Sequence, residues 1–139
     1  MSITRSLWDT ISSIEDFGER LMDRHVRLAV TGLRRSGKTV FTTALVHHLL
    51  RGHDLDFLKA AHEDRYLGAR IVKGDGERFP FETFEADLRA DPPRWPKPTD
   101  RLTTLRLELR YRTRSWVYGY LQPIQTLTVD IVDYPGEWL

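Results

Sequence analysis

The sequence predicts an α/β domain, and three runs of residues carry that prediction. An alternating stretch at 25–32 passes through a glycine-bounded loop into an amphipathic helix. A strictly alternating stretch fills 103–112, and a stretch that reads as a buried strand fills 126–133. The order strand, loop, helix, long insertion, strand, strand belongs to the class in which helices cover a sheet. With 139 residues, 40% of them hydrophobic, the chain suits one domain with an ordinary core.

Residues 4–23 place Leu7, Ile11, Ile14, Phe17, Leu21 and Met22 three and four apart, so 1–24 reads as an amphipathic helix against the domain or a partner. In "HVRLAVTG", Val26, Leu28 and Val30 alternate with other types, which is a short strand. "GKTVFTTALVHHLLRG" then puts Phe41, Leu45, Val46 and Leu49 on one helical face, with Gly52 as its stop. The 53–102 insertion reads as helical in "DLDFLKAAHEDRYL" and "FETFEADLRAD", followed by the proline-rich connector "PPRWPKPTD". In "TTLRLELRYR", Leu105, Leu107, Leu109 and Tyr111 face one way and Arg106, Glu108, Arg110 and Arg112 the other, a strand with one wet face. "WVYGYLQPIQ" connects it to the buried strand "TLTVDIVD".

Composition narrows the function. Lys+Arg is 21 against 20 for Asp+Glu, without the basic excess that marks a nucleic-acid binder. The absence of cysteine excludes disulfides and thiolate metal sites and suits a reducing compartment. The N-terminus lacks the apolar stretch of a secretory signal, and nowhere do about 18 apolar residues run together. The expectation is a soluble, cytoplasmic protein without a membrane span.

"GLRRSGKT" (32–39) matches G-x-x-x-x-G-K-[ST] in full, after a strand and before a helix. A random chain of this length shows that pattern in roughly one case in 200. Gly32 and Gly37 are expected to permit backbone angles closed to other residues, so that N–H groups turn inward on a polyphosphate. The following helix adds its unpaired N–H groups and the positive end of its dipole. The whole stretch Gly32, Leu33, Arg34, Arg35, Ser36, Gly37, Lys38, Thr39 and Val40 is therefore the candidate cradle. Lys38 would reach the β- and γ-phosphates and Thr39 would ligate Mg²⁺. An acid is required across the metal. Asp133 ends an apolar strand and opens Asp-x-x-Gly with Gly136.

"DIVDYPGE" resembles the strand-and-switch segment of Ras-like GTPases. Together "GLRRSGKT", "PPRWPKPT", "LRLELRYR" and "DYPGEWL" resemble the N-terminal portion of the YcjX-like P-loop NTPases, bacterial proteins associated with stress response. The resemblance implies a P-loop NTPase domain over 25–139 with a mainly parallel sheet, one antiparallel strand at 103–112 and a helical insertion. It also implies that Gly32, Gly37, Lys38, Thr39, Asp133 and Gly136 hold nucleotide and metal. Ras-like chains continue beyond Asp-x-x-Gly into base-reading segments, so this chain is expected to be the first part of a longer protein, an incomplete domain inactive alone.

Several residues remain as candidates. Arg34 and Arg35 fill loop positions that are small in Ras-like proteins; one would stabilise charge as an arginine finger does, against the alternative that both point to solvent. Glu137 stands where those proteins carry a water-orienting glutamine. Thr99, Thr103 and Thr104 compete for the switch threonine that closes on Mg²⁺, with Thr99 favoured. Asp130, facing away from Asp133, is expected to be structural, as are the five histidines. Trp8, Trp95, Trp116 and Trp138 are expected mostly in packing, with Trp138 a candidate sensor of nucleotide. The leading function is Mg²⁺-dependent hydrolysis of a nucleoside triphosphate, GTP before ATP. The alternatives are phosphoryl transfer to an acceptor, and a nucleotide-gated module that docks a protein through the N-terminal helix or the insertion.

Overall fold

The computed structural model describes residues 25–113 and 124–136. The helix expected at 1–24 and the connection at 116–123 lie outside the described residues. Among the described residues, four strands and three helices follow in the order β1 (His25–Val30), α1 (Lys38–Arg51), α2 (Lys59–His62), β2 (Tyr66–Val72), α3 (Phe81–Arg89), β3 (Thr103–Arg112) and β4 (Ile124–Asp133).

The strands form one sheet in the order β1-β4-β3-β2. β1 runs parallel to β4, and β3 pairs antiparallel with β4 on one side and β2 on the other. Three strands thus point one way and β3 against them. β3 is the one antiparallel strand expected at 103–112, and because it lies inside the sheet, β1–β4 is the one parallel ladder of the three among the described residues. Within the parallel pair, Val30 stands opposite Asp133. The two chain ends that leave those strands are therefore neighbours, the position where open α/β sheets place ligands.

Alternation decides the faces. Leu105, Leu107 and Leu109 of β3 stand opposite Ile131, Val129 and Leu127 of β4, and all six are buried. Against this layer α1 sets Leu45, Val46 and Leu49, with Thr42 and Thr43 fully inside and Phe41 only partly so. α3 adds Phe81 and Phe84, the latter ring 5.2 Å from Phe79. α1 ends where the N–H of Gly52 donates to the carbonyl of His48.

The helix expected across 54–67 is confined to one turn, α2, and the strand β2 follows it. Asp64 takes a left-handed backbone (φ 55), an angle that a short polar side chain tolerates and a helix does not. The Arg65 N–H closes back on the Ala60 carbonyl at 2.7 Å, and the buried Arg65 side chain donates to the Arg112 carbonyl at 2.9 Å. The chain then enters the sheet, because β3 would otherwise expose an unpaired edge. Tyr66 anchors the new strand: its hydroxyl donates to the Leu49 carbonyl at 2.7 Å, and burial pushes its pKa upward.

The opposite face of the sheet is held by charge. Arg106 Nε and Nη2 donate to the two Asp130 oxygens at 2.6 and 2.9 Å, and His25 Nε2 lies 2.9 Å from Oδ2. Farther out, Arg70 pairs with Glu108. The polar face read from β3 is thus partly a cross-strand ion ladder, and Asp130 is structural as expected. Hydrogen bonds from Arg106 hold the Asp130 carboxyl below the ordinary aspartate value against the effect of burial, and His25 adds to the lowering.

Two stability measurements follow. Leu107→Ala empties a site with no solvent exposure and is expected to lower unfolding free energy by about 2–5 kcal/mol in denaturant titration. Since the folded pKa of Asp130 is depressed, its contribution is complete above the ordinary value of 3.8 and is lost as pH falls below that. The stability gap between wild type and Asp130→Asn should therefore shrink in melting curves taken below that pH. A gap that stays constant to the acid limit would contradict the ion ladder.

Candidate functional site

The loop after β1 turns tightly. The Ser36 N–H donates to the Leu33 carbonyl at 3.0 Å, and the Phe41 N–H to the Gly37 carbonyl at 2.8 Å, opening α1. Gly37 sits at φ 92 with nothing near its missing side chain, so the backbone angle alone requires glycine there. Gly32 is a correction to the expected angle. It needs no left-handed backbone; a Cβ would instead meet Ser36 Oγ at 2.8 Å and Lys38 Cγ at 3.2 Å. The second left-handed angle of the loop belongs to Arg35, at φ 64.

Asp133 arrives beside this loop at the end of β4. Its side chain is completely buried, and Oδ1 lies 3.8 Å from Lys38 Nζ. Lys38 Nζ donates to the Tyr134 carbonyl. The Thr99 hydroxyl donates to Asp133 Oδ2 at 3.3 Å. Burial pushes the Asp133 carboxyl above the ordinary aspartate value, while Lys38 and the Thr99 hydrogen bond pull it back. Oδ1 is left as a buried acceptor without a hydrogen bond, an arrangement that carries a cost unless a cation or donor meets it. Among the threonines weighed, Thr99 is the one hydrogen-bonded to Asp133. Thr103 pairs with Asp133 in the sheet and is buried, and Thr104 pairs with Val132.

The two motif segments also touch through their backbones. A Cβ on Gly136 would stand 2.5 Å from the Arg34 nitrogen and 3.0 Å from the Leu33 carbonyl carbon. Neither backbone could retreat without opening the loop, so Gly136 is required by space. Glu137 and Trp138 lie outside the described residues.

Loop and tail share a cleft of about 610 Å³, within the size range of small-molecule sites. Arg34 through Val40 and Gly136 form one wall, and Trp95 through Thr99 form the other. Leu33 is exposed beside it, and Arg34 and Arg35 are exposed in it. The site thus gathers Lys38, Thr39, Asp133, Gly136 and Thr99. Sequence reasoning did not find the Tyr134 carbonyl as the Lys38 acceptor, since a main-chain oxygen has no sequence signal. Nor did it find the 95–98 wall, although prolines packed so densely before Thr99 could have flagged a stiff, shaped segment. Trp95 is a further correction: it is 68% exposed rather than packed.

Hard oxygen donors suit Mg²⁺, and the buried, unbonded Asp133 Oδ1, with the hydroxyl of Thr99 beside the same carboxylate and Thr39 on the facing wall, fits such an ion. Among the described residues no helix is long and apolar enough to cross a membrane.

Known proteins resemble this chain over most of its length. The chain is 47% identical over 126 residues to a protein of Escherichia coli strain K12 named Ras-like GTPase YcjX. It is 40% identical over 134 residues to one of the same name from Shewanella oneidensis MR-1. Each match covers 86% of this chain, which spans only 27% and 28% of those relatives. The model of the YcjX-like family, DUF463, matches residues 26–139. The chain belongs to the YcjX-like family.

Proposed function

We propose that this segment supplies the phosphate- and metal-binding half of a Mg²⁺-dependent nucleoside triphosphatase that uses GTP in preference to ATP. One observation carries the reading: the glycine-bounded loop and the Asp-x-x-Gly tail meet backbone to backbone, with Lys38 Nζ 3.8 Å from the buried Asp133 carboxylate. The names of the relatives support the GTP preference.

In this reading the loop N–H groups and the start of α1 hold the phosphate oxygens. Lys38 leaves the Tyr134 carbonyl to meet the β- and γ-phosphates, an exchange of one acceptor for a more negative one. Thr39, Asp133 and Thr99 are the oxygen donors for the cation. Mg²⁺, when bound, neutralises charge on the β- and γ-phosphates. Arg35 stabilises charge as the γ-phosphoryl leaves, and Glu137 orients the attacking water. Water adds to the γ-phosphorus as its bond to the bridging oxygen breaks, nucleoside diphosphate leaves with that oxygen and the water's proton passes to the phosphate released, so no acceptor pocket is required. The stress association implied by the family resemblance, a cytoplasmic location and protein docking through 1–24 or the insertion belong to the same proposal.

Binding of GTP and ATP to the full-length protein, measured calorimetrically with and without Mg²⁺, tests it. Lys38→Ala should weaken binding about 10- to 100-fold, the worth of a charge-assisted hydrogen bond. Asp133→Asn should abolish most of the Mg²⁺ dependence while leaving metal-free binding nearly intact. Binding indifferent to both substitutions would end the proposal. Phosphate release without any added acceptor separates hydrolysis from phosphotransfer. Arg35→Ala with undiminished release would remove Arg35 from the mechanism.

Gly136→Ala gives an independent check. The added methyl meets the Arg34 backbone, so a loss of about 1–3 kcal/mol in stability should accompany weaker nucleotide binding. Unchanged melting and binding would mean that the tail and loop do not meet as described.

A further inference from the structure

We propose that Trp95 is the stacking platform for the purine base of the nucleotide, an inference that rests on the nucleotide reading of the cleft above. A tryptophan normally buries most of its ring, yet Trp95 is 68% exposed and lies in the wall of the cleft that faces the phosphate loop. The segment that carries it is anchored on both sides, by a backbone bond before it and a side-chain bond after it. Before it, the Arg94 N–H donates to the Asp87 carbonyl at 2.8 Å, at the end of α3. After it, the Thr99 hydroxyl bonds to Asp133.

Between these ties, Pro96 and Pro98 fix their own φ and hold Trp95 and Lys97 extended. The ring is therefore presented by a stiff segment at low entropic cost. Four extended residues span at most roughly 13–14 Å, so the indole lies within that reach of the metal end at Thr99, in the lining of the same cleft. An exposed π surface in the same cleft as the phosphate loop suits a base, which stacks on aromatic rings whatever its edge pattern. The platform accordingly serves guanine and adenine alike. Selection between them belongs to groups that read the base edge.

A base-free ligand tests this. Calorimetry on the full-length protein compares Mg²⁺ complexes of GTP, ATP and inorganic tripolyphosphate, using wild type, Trp95→Phe, Trp95→Leu and Trp95→Ala. Stacking predicts that Ala and Leu weaken both nucleotides by about 5- to 150-fold. Phe should stay within about three-fold of wild type, and tripolyphosphate should bind all four proteins equally. Leu keeps apolar bulk without a π face, so it carries the comparison if the Ala variant does not fold. Equal losses for tripolyphosphate and nucleotides, or no loss for nucleotides, would overturn the role of Trp95. Failure of the wild type to bind any of the three ligands would instead overturn the nucleotide reading itself, and this inference with it.

Discussion

The buried carboxylate of Asp133 and the ammonium of Lys38 face each other across 3.8 Å at the end of the parallel strand pair. A carboxylate with no exposure is expensive, and burial raises its pKa even with a cation nearby. Much of the surrounding geometry serves to hold this charge in place. β1 and β4 must be adjacent and parallel for the loop after one to meet the tail after the other. β3 must lie alongside β4 to cover Asp133 with Thr103. The proline-rich wall ends in Thr99, whose hydroxyl answers the second oxygen.

This arrangement separates two jobs that look alike in sequence. Asp130 and Asp133 sit three residues apart on one strand and are both buried, but they point to opposite faces. Asp130 is fully answered by Arg106 and His25, so its charge is satisfied and its pKa depressed. Asp133 has one oxygen without a hydrogen bond. The satisfied acid ties three strands together, since His25 belongs to β1, Asp130 to β4 and Arg106 to β3. The unsatisfied one is the acid that the proposed cation would meet.

Much of this was legible beforehand. The phosphate loop, the helix that follows it and the 103–112 and 126–133 strands are local patterns: glycine spacing, 3.6-residue periodicity and strict alternation. Each is decided by neighbours a few residues away. The strand at 66–72 was not legible, because "YLGARIV" is preceded by residues with good helical spacing. What makes it a strand is the open edge of β3, more than thirty residues later in the chain. The left-handed Asp64 that breaks the helix is visible only once that edge must be reached.

By itself, then, the sequence determined that a glycine-bounded loop joins a strand to a helix, that an acid ends a later apolar strand, and that one face of 103–112 is apolar. These follow from short-range sterics and hydrophobic period. The tertiary structure alone decided that the acid meets the lysine, that Gly136 is needed for space against Arg34, and that Trp95 stands out in the cleft. Each of these depends on strand order and on the approach of segments some sixty to a hundred residues apart. No local periodicity encodes such distances, because the energies that set them arise only when the sheet closes.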